Sequence, residues 1–273
     1  MIRLVVNAQG FGIDRAGDRA IIAAHREGIV TSASLVGNCP DPAAARAACA
    51  DAPRLGVGLA LALVGGVPVA PPHLVPTLMT AQGTLRATPA DFALDWLKGG
   101  VVPDQVEHEM EAQLGRAAQA GFSIDHLCTL GHLGFLPGVG QLVERVARRH
   151  KIAGIRSSVE PPTLSWFTDP RRGVETGILA GLSWLTRRRM GPLRHGPRTW
   201  GYVESGRLDE VRIIEIIGRL GPGSHELICH PGAGAGGGAS ADADTESRAL
   251  RSAKVKTALE RRGILLCRWQ DLF

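Results

Sequence analysis

No apolar run in this sequence approaches the roughly 18 residues needed to cross a membrane. The opening Met1-Ile2-Arg3-Leu4-Val5-Val6 turns polar at Asn7, too early for the apolar core of a secretion signal. Cytoplasm is therefore the expected compartment. Cys-x-x-Cys pairs are absent too. The five cysteines, Cys39, Cys49, Cys128, Cys229 and Cys267, are scattered, and an odd number cannot all be bridged within one chain. Reduced thiols are the simplest expectation, with Cys128, Cys229 and Cys267 in apolar runs that suit small core residues. A large excess of one charge is also missing. Net charge is +5 and the isoelectric point about 9.3, which favours anionic ligands slightly without demanding nucleic acid. The glycines from Gly232 to Gly238 lack the Gly-Lys-Ser or Gly-Lys-Thr of a phosphate-binding loop, so a flexible stretch is expected from Gly232 to Asp244. No sequence repeat is visible.

What is present is a rhythm of strand and helix. The 273 residues are 44% apolar, enough for a sizeable core in one domain. Buried-strand runs are read at Leu4 to Val6, Val30 to Val36, Gly56 to Leu63, Ile124 to Leu130, Ile152 to Ser157, Glu226 to Cys229 and Ile264 to Leu266. Helices are read at Asp14 to Ala24, from the Asp41-Pro42 cap, at Asp104 to Ala120, Val139 to His150, Leu208 to Leu220 and Glu246 to Arg262. Alternation of this kind implies parallel strands joined by right-handed crossovers. The fold expected is a single α/β domain over 1–273, a TIM-like β/α-barrel of about seven strands, closed or incomplete. An open doubly wound sheet is the alternative.

Two stretches break the rhythm. Pro68 to Arg86, with Pro68, Pro71, Pro72 and Pro76, reads as loop. The interval 161–199 carries Arg171, Arg172, Arg187, Arg188, Arg189, Arg194 and Arg198 against Asp169 and Glu175. It is read as a rim insertion or lid, with an amphipathic helix from Ile178 to Leu185. Its aromatics, Trp166, Phe167, Trp184 and Trp200, are too few for a nucleic-acid platform, so a solvated lid or partner surface is expected. Trp200, beside Gly201-Tyr202, is a core residue or a stacking surface for a sugar ring.

Working residues in parallel β/α folds follow the C-terminal ends of strands. That rule selects Asn7, Gln9 and Asp14, then Asn38 and Asp41, then Ala60 and Leu63, then Thr129 and His132, then Arg156 and Glu160, then His230. His126, inside a strand run, is read as structural. For a metal hydrolase this set is poor. A catalytic metal usually takes three His, Asp or Glu ligands and keeps one position open for water.

Several motifs in order carry a resemblance: Asn7-Ala8-Gln9-Gly10-Phe11-Gly12, Gly28 to Leu35, Gly56 to Leu61, His126 to Pro137, Cys229-His230-Pro231-Gly232, and Ala258 to Ile264. The chain resembles the YdjC-type carbohydrate deacetylases, whose branches include ChbG and the hopanoid-associated HpnK, over nearly its whole length. The resemblance implies a metal-dependent β/α-barrel that removes acetyl groups from N-acetylated sugars, and it is compatible with a homodimer. In that family the first motif is Asn-Ala-Asp-Asp-Phe-Gly, the third landmark Gly-Leu-His, and the fourth His-x-Asp-x-His-x-His-x-His. The matching positions here read Gln9 and Gly10, then Ala60, then Leu130, with His132 as the middle histidine of the last three. The three family ligand positions are thus Gly10, Ala60 and Leu130, and no cofactor is expected. Glutamine at position 9 cannot ionise to take a proton from water. The remaining pocket residues implied are Asn7, Gln9, Asn38, Arg156, His132 and His230.

Four readings stay open. One is a pseudoenzyme that binds an N-acetyl-sugar-like molecule or a partner subunit. Another is an enzyme of altered chemistry using His132 and His230 as acid and base, or a relocated metal. A third is an ordinary deacetylase whose motifs align in a different register. The last is a basic protein binding anions, nucleic acid or a membrane surface, with nucleic acid the less favoured partner.

Overall fold

The computed structural model describes residues 1–156, 160–161, 169–190, 196–232 and 241–273. Eight parallel strands form one sheet: β1 (Ile2–Phe11), β2 (Ser32–Val36), β3 (Gly56–Leu61), β4 (His126–Thr129), β5 (Gly154–Ile155), β6 (Arg198–Trp200), β7 (Gly223–Cys229) and β8 (Ile264–Leu266). Their order is β5-β4-β3-β2-β1-β7-β6, with β8 paired beside the first residues of β1. Strands β2 and β3 are buried at every residue, as central parallel strands covered on both faces must be.

Among the described residues the α-helices are α1 (Arg15–Glu27), α2 (Pro42–Ala48), α3 (Pro89–Leu97), α4 (Pro103–Gln119), α5 (Val139–Arg149), α6 (Pro170–Arg187), α7 (Glu210–Arg219), α8 (Ala241–Leu250) and α9 (Ala253–Arg261). Helix α1 shows how the local sequence sets them. The Asp14 carboxylate accepts from the Ala16 and Gly17 N–H groups, and Ile21, Ile22 and Ala24 face the sheet. In α5 the buried Val139, Leu142, Val143 and Val146 recur at helical spacing.

The sheet curls into an incomplete TIM-like barrel. Between its edges, the described residues supply one backbone bond, from Gly196 N–H to the Ile155 carbonyl at 3.2 Å. Trp269, fully buried, packs at this seam, where Gly154 and Gly196 leave room for its ring.

Three features depart from the sequence reading. Strand β6 lies at the end of the interval expected to be an insertion. It has three residues and begins with an exposed arginine, so it offers no apolar run to recognise. Helix α3 was not anticipated, although Thr88 and Pro89 supply a cap and a first-turn proline. The last expected helix is two, because Ser252 leaves helical geometry and caps α9 through the Lys254 N–H. The helix placed at Ile178 to Leu185 is the middle of the longer α6, capped by Asp169. Trp166, Phe167, Arg194 and most of the glycine run after Gly232 lie outside the described residues.

Candidate ligand cleft

The C-terminal ends of the strands surround a cleft of about 550 Å3. Gln9 and Gly10 come from β1, Asn38 from the turn after β2, Leu130 and His132 from the turn after β4, Tyr202 from the loop after β6, and His230 from the end of β7. This is the face where parallel barrels hold their working groups.

Two local distortions shape the floor and wall. In β1 the pairing to β2 runs from Ala8 opposite Ala33 to Phe11 opposite Leu35, so one extra residue is accommodated as a bulge. Gly10 sits in it at φ 84°, a conformation that costs glycine little. After β4, Gly131 and His132 are consecutive left-handed residues at φ 60° and 59°. Histidine adopts that conformation at a cost that surrounding packing must offset. The His132 ring lies 4.6 Å from the Tyr202 ring and 5.8 Å from the Phe135 ring, stacked on the latter.

A buried polar layer lies beneath. Asn7 Nδ2 is 2.8 Å from Glu226 Oε1, 3.0 Å from His126 Nε2 and 3.2 Å from Ser34 Oγ. Arg156 donates to both Glu226 oxygens, at 2.9 and 2.5 Å, as a bidentate pair with side chains almost wholly buried. Thr199 Oγ1 donates to Glu226 Oε2 at 3.0 Å, and Trp269 Nε1 reaches Oε1 at 3.3 Å. Burial works against the Glu226 charge, yet the Arg156 guanidinium and the Asn7 amide hold its carboxyl below the usual range. His126 stacks on Trp269 at 4.6 Å and turns Nδ1 to Asp125 at 2.6 Å. Gly58 permits this, since a Cβ there would lie 2.1 Å from the imidazole.

Of the residues singled out in the sequence, the structure gathers Gln9, Asn38, Thr129, His132 and His230 around the cleft. Asn38 spends its amide on the Gly65 and Val67 carbonyls, so it pins the loop after β3. Gln9 joins cleft and layer: its Nε2 donates to Ser34 Oγ at 3.1 Å and its Oε1 accepts from Arg156 at 3.4 Å. Asn7 and Arg156 are placed under the cleft, their polar atoms engaged inside the barrel. Ala60 is buried in β3, while Gly10 and Leu130 line the cleft. Glu226, Ser34, Thr199, Tyr202 and Trp269 were not singled out as site residues. Glu226 offered one signal, a carboxylate inside an apolar strand, which is seldom buried unless paired.

A family model described as YdjC-like protein matches residues 3–261. The chain belongs to the YdjC-like family. A carbohydrate deacetylase of Brevibacillus brevis is 34% identical over 151 residues, covering 55% of this chain and 58% of that one. The matched stretch thus spans less than two thirds of that relative. A carbohydrate deacetylase of Mus musculus is 30% identical over 249 residues, covering 85% and 78%. Among solved structures, a candidate cellobiose-phosphate cleavage protein of Enterococcus faecalis aligns with TM-score 0.78 over 99% of this chain and 98% of that one, at 23% identity. That likeness shows the fold.

The YdjC-like resemblance implies a divalent metal, and the described residues gather no donor set for one. Among the described residues no group of three or more His, Cys, Asp or Glu side chains could hold a metal ion. His132 and His230 are the imidazoles at the cleft. Burial, then Arg156 and the neighbouring His230, push His132 down to about 3. Burial, then Arg156 and Arg172, push His230 down to about 4. Both rings are therefore neutral near pH 7, each with one N–H and one acceptor nitrogen. His230 Nδ1 is buried without a hydrogen-bond partner among the described residues.

Proposed function

We propose that this YdjC-like protein is inactive as a metal-dependent deacetylase and binds an N-acetyl-amino-sugar-like ligand in the cleft. The observation that carries the reading is the set of side chains at the three aligned ligand positions. Gly10, Ala60 and Leu130 offer no donor atom, and only two histidines remain at the cleft. Gln9, at an aligned carboxylate position, cannot act as a base and is tied to Ser34 and Arg156.

The remaining cleft suits a sugar. Tyr202 and His132 present ring surface, while Gln9 and the two neutral imidazoles offer polar edges for hydroxyl or acetamido groups. A partner subunit engaging the same face is the second form of this reading. The neutral, low-affinity state of both histidines for protons weighs against acid–base chemistry by His132 and His230. Five unbridged thiols support residence in the cytoplasm.

The test is incubation of the purified protein with excess Zn²⁺ and Mg²⁺, desalting and elemental analysis, followed by calorimetric titration with N,N′-diacetylchitobiose. The expected result is no retained metal, no released acetate, and heat of binding that His132→Asn and Gln9→Ala both weaken. Retention near one equivalent of metal, or turnover lost on chelation, overturns the reading.

A further inference from the structure

Helix α6 is apolar on two sides: Leu179 and Leu182 pack inward, yet other large apolar side chains point out. Its buried positions are Gly173, Thr176, Ser183 and Thr186, while Val174, Ile178 and Trp184 are 64%, 59% and 57% exposed. Residues 174, 178 and 181 fall on one helical face, so the exposed stripe reads Val-Ile-Gly, flanked by Trp184, with Leu185 half-buried beside it. Soluble surface helices keep the solvent face polar. The inner face has a physical reason for small residues. Thr186 donates to the Phe135 carbonyl at 2.6 Å and lies against Gly140 of α5, where a Cβ would meet its methyl at 2.3 Å. Nothing in that packing explains the apolar outer face.

Arginine frames this stripe. Arg171 and Arg172 stand at one end, Arg187, Arg188 and Arg189 at the other, against Asp169 and Glu175. Glu175 pairs with Arg171, and Asp169 with Arg172 and Arg207. Among the described residues no acidic side chain pairs with Arg188 or Arg189. Arg188 instead lies 3.9 Å over the Trp184 ring.

We infer that the outer face of α6 docks on an anionic lipid bilayer, with Val174, Ile178 and Trp184 entering the headgroup boundary and Arg188 and Arg189 meeting lipid phosphates. Exposed apolar residues beside arginine, with tryptophan at the edge, are the chemistry of an interfacial helix. Charge complementarity separates this occupant from a second copy of the chain. The acidic side chains on and capping α6, Glu175 and Asp169, are already paired with arginine, so an α6 of a second copy offers Arg188 and Arg189 no uncommitted carboxylate, whereas a lipid surface offers phosphates. Leu179 and Leu182 of α6 pack near Phe135 and Tyr202, so docking would set the rim of the cleft beside the headgroups. This inference does not depend on what the cleft binds.

The experiment is co-sedimentation of the full chain with phosphatidylcholine vesicles and with vesicles that also contain phosphatidylglycerol, at low and high salt. The expected result is binding to the anionic vesicles that fades with salt, and quenching of tryptophan fluorescence by brominated lipid that Trp184→Phe reduces. Arg188→Gln with Arg189→Gln is expected to weaken partition on the order of tenfold. Ile178→Ser weakens it while circular dichroism stays unchanged. No sedimentation at low salt overturns the inference. So does binding indifferent to all these variants. A dimer in light scattering that Ile178→Ser dissociates, without vesicle binding, overturns it in favour of a second copy.

Discussion

His132 and His230 couple the cleft to pH. Both hold their proton less tightly in the fold than in the open chain, where the value is 6.5. A group shifted down in this way supports folding fully above about pH 6.5 and loses that support as pH falls toward 3 and 4. Glu160 acts in the opposite sense. Burial and then Glu204 raise its carboxyl from 4.5 to about 7, although the Gly201 and Val203 N–H groups donate to it. Its support is complete below about pH 4.5 and is lost as pH rises through 7. Denaturant titrations across pH check both. His132→Asn with His230→Gln is expected to flatten the fall below pH 6.5, and asparagine tolerates the left-handed backbone at 132. Glu160→Gln is expected to remove the loss between pH 4.5 and 7. A pH profile unmoved by either substitution would mean that these groups do not titrate as their surroundings dictate.

At the scale of elements, the buried layer fastens strands together through side chains rather than backbone. Asn7 of β1, Ser34 of β2, His126 of β4, Thr199 of β6 and Glu226 of β7 meet within hydrogen-bond reach, joined by Arg156 just beyond β5. Removing one partner of a buried ion pair leaves the other charge unpaired, which costs roughly 3–5 kcal/mol. Arg156→Met should therefore lower unfolding stability by about that amount. The pair variant Arg156→Met with Glu226→Gln should recover part of it, as a double-mutant cycle in urea would read. A loss in the double variant equal to the sum of the losses in Arg156→Met alone and Glu226→Gln alone would mean that the pair is not coupled.

The pattern of buried positions made most elements legible. Alternating apolar runs and capped helices gave strands β1 to β5, β7 and β8 their places, because a parallel strand buried on both faces must be apolar. Strand β6 was hidden because three residues led by Arg198 carry no period. In the site, strand ends singled out Gln9, Asn38, Thr129, His132 and His230, since those positions open on the cleft in any parallel barrel. Tyr202 was not legible, because its partner His132 lies far away in the chain, and Glu226 carried only the signal of a carboxylate inside an apolar strand, its partner Arg156 being equally distant.

At the scale of the whole molecule, Trp269 packs into the seam between the edges of the incomplete barrel. Trp269 is fully buried, stacks on His126, reaches Glu226 and fills the seam beside Gly154 and Gly196. Trp269→Ala is expected to cost about 3–5 kcal/mol by leaving a cavity where the sheet edges approach. Thermal unfolding followed by far-ultraviolet dichroism would show a lower midpoint. An unchanged midpoint would mean that the seam is held by other contacts.

The sequence by itself determined the parallel β/α architecture, the family, and the absence of donor atoms at Gly10, Ala60 and Leu130, because each is a property of residue type and local period. Only the tertiary structure decided that Asn7 and Arg156 serve an interior network while Gln9 faces both ways. It alone revealed that α6 leaves Val174, Ile178 and Trp184 exposed. Those outcomes depend on which distant strands and loops are neighbours, and chain closure around a barrel sets that, not the local order of residues.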